Sequence, residues 1–382
     1  MTALERLEST KKRINLILKS VGFGVLTDDF KFNFITYFSI INCITYMCIN
    51  GYDIKFFKDD LIRVCFCLVT WSFGYECTIR IIVFLSRGRE IRNLYDQIRI
   101  FVQKNQGKCE NERIVNEFVR DIDIQTKFIA ILYGFCAILT LIYPGLHYML
   151  TKEKILAFGF VIPGISYTTQ IGYTLNYIYH ICLTYMTTAG LTATTLIVVM
   201  LYIGACLMIE VITFNLKNLG NELLEGDDKH KTNREINLSE FVKSHQDILD
   251  FVSSLESLFS LTFMVDVISI SFQIVITLMV CLSNFWIPGY IIILCVTFKL
   301  FLDCAYGLYI EIKFDDLCTA VYDFPWHLIS IKHQKSILFI LAKTQNPPLL
   351  TFGGVAYINM STFVQVYKSI YSYFTVLRSF DV

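Results

Sequence analysis

Seven apolar runs, each close to the length that crosses a bilayer, dominate this chain: residues 32–50, 61–85, 128–150, 179–209, 259–282, 288–310 and 355–380. A spanning helix needs about 20 apolar residues. No water reaches the backbone N–H and C=O groups inside hydrocarbon, so runs this long read as helices. Soluble chains carry about 25% charged residues; this one carries 17%, with 54% hydrophobic residues and a mean hydropathy of +0.53. A soluble core of 382 residues could not hide so many apolar runs. The reading is an all-α, polytopic membrane protein with seven transmembrane helices. Residues 1–31 are polar and no small-residue cleavage site follows the first run, so no cleavable signal is expected.

Basic residues set the orientation. Segments 1–31, 86–126, 207–257 and 311–354 hold 6, 8, 5 and 4 Lys and Arg, whereas 52–60, 150–177 and 284–289 hold 2, 2 and 0. Basic loop residues stay in the cytoplasm. The amino terminus is therefore expected inside, and seven spans put the carboxyl terminus outside. That is the reverse of a seven-helix G-protein-coupled receptor. In agreement, no Asp-Arg-Tyr triplet follows the third run and no Asn-Pro pair interrupts the seventh. Lys plus Arg and Asp plus Glu number 33 each, so no basic footprint for nucleic acid exists. The 13 cysteines fall almost all inside spans and none lies in an outside loop, so no structural disulfide is expected.

Three inside segments read as folded. Residues 4–20 place Leu4, Leu7, Ile14 and Leu18 on one face, as a membrane-surface helix would. Residues 239–259 carry Val242, His245, Ile248, Val252, Leu255 and Phe259 at helical spacing, continuing the fifth span into the cytoplasm. Residues 331–344 form a third helix, ended by Pro347 and Pro348. Only 220–238 reads as a loose, charged linker.

Little in the chain suggests catalysis. The six histidines form no metal-spaced pair with acids inside a span, and no phosphate loop or nucleophile elbow is present. No cofactor is expected. Transporters break spans near their centres in matching halves, but none of the six prolines sits at a span centre. Charges inside spans are functional suspects. Glu76 with Arg80, and Lys299 with Asp303, are four residues apart and read as pairs on one helix face; Asp266 has no local partner.

The seventh run has a pattern of its own. Ser361, Gln365, Lys368, Ser372, Thr375 and Ser379 make one polar stripe on a helix, and Phe363, Val366, Ile370, Phe374 and Leu377 make the opposite, apolar stripe. A helix with one wet face at membrane depth lines water, and four around an axis would make a pore. Small polar residues that merely help helices pack would account for Ser372 and Ser379 but less well for Gln365 and Lys368.

Residues 322–380 resemble the carboxyl-terminal signature of insect odorant receptors. The matching elements are Pro325-Trp326, KSILFILAKTQNPPLLTFGG at 335–354, Ser361-Thr362-Phe363 and KSIYSYFTVLR at 368–378. The family often has a small residue where Phe352 stands and a basic one near Asn346. The resemblance implies an odorant-gated, non-selective cation channel. A tuning subunit binds a small volatile, aromatic ones included, and assembles with a shared co-receptor into a heterotetramer. The setting would be the plasma membrane of olfactory sensory neurons. Residues 1–310 would hold the first helix and six spans, 311–354 a cytoplasmic anchor and 355–382 the pore span. Val376 and Phe380 would gate the pore, with Gln365, Ser372, Thr375 and Ser379 along the conduction path. The pocket would lie in the outer half of the bundle. On this topology that half includes Cys67, Thr70, Trp71 and Gly74 on span two, and Cys136, Leu139, Thr140 and Tyr143 on span three. It also includes Tyr179, Leu183, Met186, Thr187 and Gly190 on span four, with Phe272 and Ile276 on span five. A gustatory-type channel of the same fold and a G-protein-coupled receptor remain the alternatives.

Overall fold

The computed structural model describes residues 2–27, 30–107, 109–225, 231–283 and 286–380. These form ten α-helices and one short hairpin: α1 (Ala3–Ser20), α2 (Phe34–Phe56), α3 (Leu61–Ser86), α4 (Gly88–Asn105), α5 (Cys109–Thr151), α6 (Gln170–Leu224), α7 (Lys231–Ser283), α8 (Ile287–Tyr322), α9 (Ile331–Thr344), the strands β1 (Thr351–Phe352) and β2 (Ala356–Tyr357), and α10 (Met360–Phe380). Helices α2, α3, α5, α6, α7 and α8 are long and apolar enough to cross a membrane. The 21-residue α10, cut by its polar stripe, is the seventh.

Local chemistry sets the helix starts. Thr2 and Glu5 close a capping box on α1, Asn33 and Thr36 do the same on α2, and Asp60 and Thr169 cap α3 and α6. Pro288 occupies the first turn of α8, where its missing N–H costs nothing.

Helix α6 is the axis of the bundle. Residues 192–209 on it are buried without interruption, and it packs against α5, α8, α7 and α1. Close approach depends on small residues: a Cβ on Gly204 would sit 2.2 Å from Ile98 Cδ1 of α4. The outer faces of α2 and α5 expose Phe34, Ile41, Phe128, Ile131, Phe135 and Leu150, a surface suited to lipid.

Three sequence expectations need correction. The apolar face of α1 is not spread on a membrane surface; Leu7, Ile14 and Leu18 are buried against protein, with α1 lying on α5, α6 and α4. The cytoplasmic extensions of α5 and α6 supply that protein surface. The 220–238 stretch is mostly helical, because α6 runs to Leu224 and α7 starts at Lys231; residues 226–230 of it lie outside the described residues. Leu223 and Leu238 are buried on either side. The last run is helical only from Met360, since 351–357 is an antiparallel hairpin with Phe352 opposite Ala356. Gly353 and Gly354 turn it at φ 61° and 76°, which glycine adopts without strain. Glu256 of α7 accepts the Thr351 N–H at 2.8 Å, and the Ser260 carbonyl accepts the Gly353 N–H at 3.0 Å, so the hairpin is pinned to α7.

The membrane charges go beyond the expected pairs. The two expected pairs exist, but Asp266 joins them into one cluster. Its Oδ2 lies 2.6 Å from Arg80 Nη2 of α3 and 2.6 Å from Lys299 Nζ of α8. Lys299 also meets Asp303 at 3.3 Å, Arg80 meets Glu76 at 3.5 Å, and Arg80 donates to Thr194 Oγ1 of α6 at 2.8 Å. All five charged groups are buried, so burial is tolerated because each charge faces an opposite one. The cluster ties α3, α6, α7 and α8 together at one level.

Candidate functional site

A cavity of about 160 Å³ opens between α3, α5, α6, α8 and the segment joining α5 to α6. Its walls carry the rings of Phe73, Tyr133, Phe158 and Phe160, the hydroxyls of Thr70, Thr140 and Thr187, and the aliphatic Leu183 and Ile292. Glu76 and Lys299 of the charge cluster also line it. A smaller cavity of about 60 Å³ lies beside it, next to α2. Tyr46, Leu183, Thr187 and Leu191 border both and form the wall between them.

The 152–169 segment closes one side. Asp53 accepts the Val161 N–H at 2.6 Å, Asn176 accepts the Ile162 N–H at 2.8 Å, and His180 Nε2 lies 3.2 Å from the Phe160 carbonyl. These bonds place Phe160 inward. Its ring meets Tyr46 edge-on at 5.4 Å and His180 at 4.3 Å. Tyr46 in turn donates to the Thr70 carbonyl, and Thr70 Oγ1 bonds Asn50 at 2.7 Å. The wall is therefore held in place by buried hydrogen bonds as well as by packing.

The residues expected around a ligand divide by helix phase. Thr70, Cys136, Thr140, Leu183 and Thr187 line the larger cavity. Gly74, Met186 and Gly190 join Leu183 and Thr187 around the smaller one. A Cβ on Gly74 would meet Met47 Sδ at 2.4 Å, so this glycine lets α2 close on α3. Cys67 is buried beside Tyr46, Phe160 and Leu183, and Tyr179 packs on the same group. Trp71, Leu139 and Phe272 turn to the outside of the bundle, 41%, 38% and 40% exposed. Tyr143 lies by His147 at the end of α5, and Ile276 packs against the main core. Thr70 and Trp71 are neighbours in sequence and so cannot share a helix face; the same holds for Leu139 and Thr140. Sequence reasoning missed Phe158, Phe160, Tyr133 and Lys299 as lining residues. A signal existed for the first two, because LAFGFVIPG at 156–164 is too apolar for a loop facing water.

Helix α10 lies on α7 and α8. Its apolar stripe is turned inward as far as Phe374: Ile370 is buried, and Phe363, Val366 and Phe374 are half-buried, whereas Leu377 near the end is exposed. Phe363 meets Phe301 edge-on at 5.9 Å, and the Tyr367 hydroxyl bonds Thr297 of α8. Ser361, Gln365, Lys368, Ser372, Thr375 and Ser379 are all exposed, so the polar stripe is uncovered along the whole helix. Val376 is 52% exposed beside it. Phe380 ends the helix, and its side chain lies outside the described residues. Among the described residues, no three His, Cys, Asp or Glu side chains converge as a metal site.

Comparison with known proteins gives a consistent answer. A family model described as 7tm Odorant receptor matches residues 60–371. The protein called odorant receptor 83c of Drosophila melanogaster is 20% identical over 96% of both chains. Odorant receptor 2a of the same insect is 37% identical over a shorter stretch, 22% of this chain and 21% of its own. The insect olfactory receptor OR5 from Machilis hrabei superposes with a TM-score of 0.82 at 16% identity, over 98% of both chains. Its structure in complex with eugenol gives 0.80 at 17% identity, over 98% of this chain and 99% of that one.

Proposed function

This chain belongs to the odorant receptor family and is a multi-pass membrane protein of the seven-helix fold, and on that premise we propose that it is the odorant-binding tuning subunit of a ligand-gated, non-selective cation channel. It assembles with a shared co-receptor subunit into a heterotetramer in the plasma membrane of olfactory sensory neurons. The amino terminus faces the cytoplasm, where the basic segments lie. The observation that carries this reading is α10, packed on one face and polar and uncovered on the other. Four such faces around an axis make a cation path. Exposed Leu338 and Phe339 on α9 (67% and 74%) provide apolar surface for neighbouring subunits in the cytoplasmic anchor, 311–354.

The 160 Å³ cavity is the odorant site. An apolar cavity of about 150 Å³ holds benzene, so this one takes a ligand of about one ring, in keeping with the single-ring eugenol in the OR5 complex. Cys295 and Val296 of α8 line the cavity, and the next residue, Thr297, holds Tyr367 of α10. A ligand that shifts α8 therefore acts on the pore helix one residue away. It opens the channel only by binding the open arrangement more tightly. Val376 and Phe380 form a constriction that closes by dewetting and conducts once water fills it. In Val376→Ser, ligand-free cation current rises several-fold in cells that also express the co-receptor. A leak equal to wild type places the gate elsewhere on α10.

A further inference from the structure

The hairpin before α10 has only two residues in each strand. Isolated two-stranded hairpins are marginal in water, so one this short does not hold its own shape. Helix α7 holds it instead. Glu256 Oε2 accepts the Thr351 N–H at 2.8 Å, and Oε1 accepts the Thr351 hydroxyl. The same hydroxyl oxygen accepts the Gly354 N–H at 2.8 Å, so the carboxylate orders the turn through it. Ser260, about one turn further along α7, takes the Gly353 N–H on its carbonyl. Bonds to a carboxylate are charge-assisted and roughly twice as strong as neutral ones. The residue next to Glu256 is bound by α3. Arg87, which ends α3, donates from Nη1 to the Ser257 carbonyl at 2.6 Å and from Nη2 to Ser257 Oγ at 3.3 Å. Its pair with Glu90 at 2.7 Å steadies the guanidinium. Helix α3 also carries Thr70, Phe73 and Glu76 of the cavity wall. One turn of α7 therefore joins a cavity helix to the segment that leads into α10.

Taking this chain as a subunit of a gated channel, we propose that Glu256 is a positioning residue for the pore helix. Its carboxylate clasps the hairpin at Thr351, so that movement of α3 reaches α10 through residues 256–260 of α7. This route is separate from the Tyr367–Thr297 bond between α10 and α8. With the clasp broken, a ligand still fills the cavity, but the pore helix follows it less.

The first test is hydrogen exchange on the purified full chain, read by mass spectrometry over residues 349–357. Glu256→Ala removes both acceptors, and Thr351→Val keeps the side-chain size but cannot donate to Glu256. Exchange should quicken about tenfold or more in Glu256→Ala and ~3–10-fold in Thr351→Val, while Thr351→Ser stays within about twofold of wild type. The second test is current evoked by a panel of single-ring volatiles that includes eugenol. Cells express each variant with a co-receptor, and current is scaled to surface label. Maximal current should fall ~3–10-fold in Glu256→Ala and in Thr351→Val and recover in Thr351→Ser. The double variant Glu256→Ala/Thr351→Val should do no worse than the weaker single one, because both changes break the same contact. Unchanged exchange in both single variants overturns the proposal, since the clasp then does not hold the hairpin. So does quickened exchange with wild-type current, or a double variant whose losses multiply. A wild type silent to every volatile overturns the channel reading and this coupling together, whereas a responding wild type with unaltered variants overturns only the coupling.

Discussion

Asp266→Asn should be among the most damaging single substitutions in the protein. Asp266 Oδ2 holds Arg80 and Lys299, each at 2.6 Å, and all three side chains are at most 8% exposed. The amide keeps the shape and one acceptor but loses the charge shared by both cations. Hydrogen bonds to charged groups contribute about 1.5–3 kcal/mol each. Removing one partner of a buried ion pair costs about 3–5 kcal/mol, because the other charges stay buried. We take the second range rather than a sum over both bonds, since the substituted amide can still accept one bond and Glu76 and Asp303 remain nearby. Cluster and cavity share Glu76 and Lys299, so ligand response should fall along with stability. The assay is the melting temperature of the detergent-solubilised protein, read by fluorescence-detected gel filtration. Arg113→Gln is the reference, because Arg113 pairs with Glu117 while 85% exposed, and such pairs contribute about 0.5 kcal/mol or less. Asp266→Asn should melt several degrees below Arg113→Gln. If the two melt together, the cluster does not bind the helices as argued.

Two further outcomes follow from the same geometry. His245 lies in the cytoplasmic part of α7, stacked on Phe241, and burial pushes its pKa down to about 4. An unfolded histidine titrates near 6.5, so its contribution is complete above pH 6.5 and is lost as pH falls toward 4, where the unfolded chain takes up the proton first; melting scans from pH 7.5 to 5 should fall less steeply for His245→Leu than for wild type. Gly307→Ala places a Cβ 1.9 Å from the Ile358 carbonyl, just before α10, and should destabilise the chain by about 1–3 kcal/mol or more and lower ligand-evoked current, whereas Gly134→Ala, with nothing within 4 Å, should stay within about 1 kcal/mol of wild type by melting.

The membrane helices were legible because hydrocarbon leaves the backbone one choice, and long apolar runs record it. Their lengths were not: α5, α6 and α7 continue far past the apolar runs, where the pattern turns amphipathic and only tertiary packing decides. The α7 extension could be read at 239–259 because a stripe from Val242 to Phe259 continues into the span. The hub role of Asp266 could not, since its partners are 186 and 33 residues away on other helices. Around the cavity, the family resemblance pointed to one half of each span, and the rotation of each helix could not be read from the sequence. Thr70 and Thr140 line the space while their neighbours Trp71 and Leu139 face out. Phe160 escaped because loops are read as surface until backbone bonds to Asp53 and Asn176 fold one inward. The α10 stripe was visible from spacing alone, since a period of 3.6 needs no tertiary information.

The most direct test of the central claim is whole-cell current during puffs of a volatile panel, in cells expressing this chain alone, an odorant co-receptor alone, or both. The account predicts fast cation current to some volatiles only when both are present, unaffected by G-protein block. Volatile-evoked current from this chain alone would contradict its place as a tuning subunit, and a slow response abolished by G-protein block would contradict the channel itself.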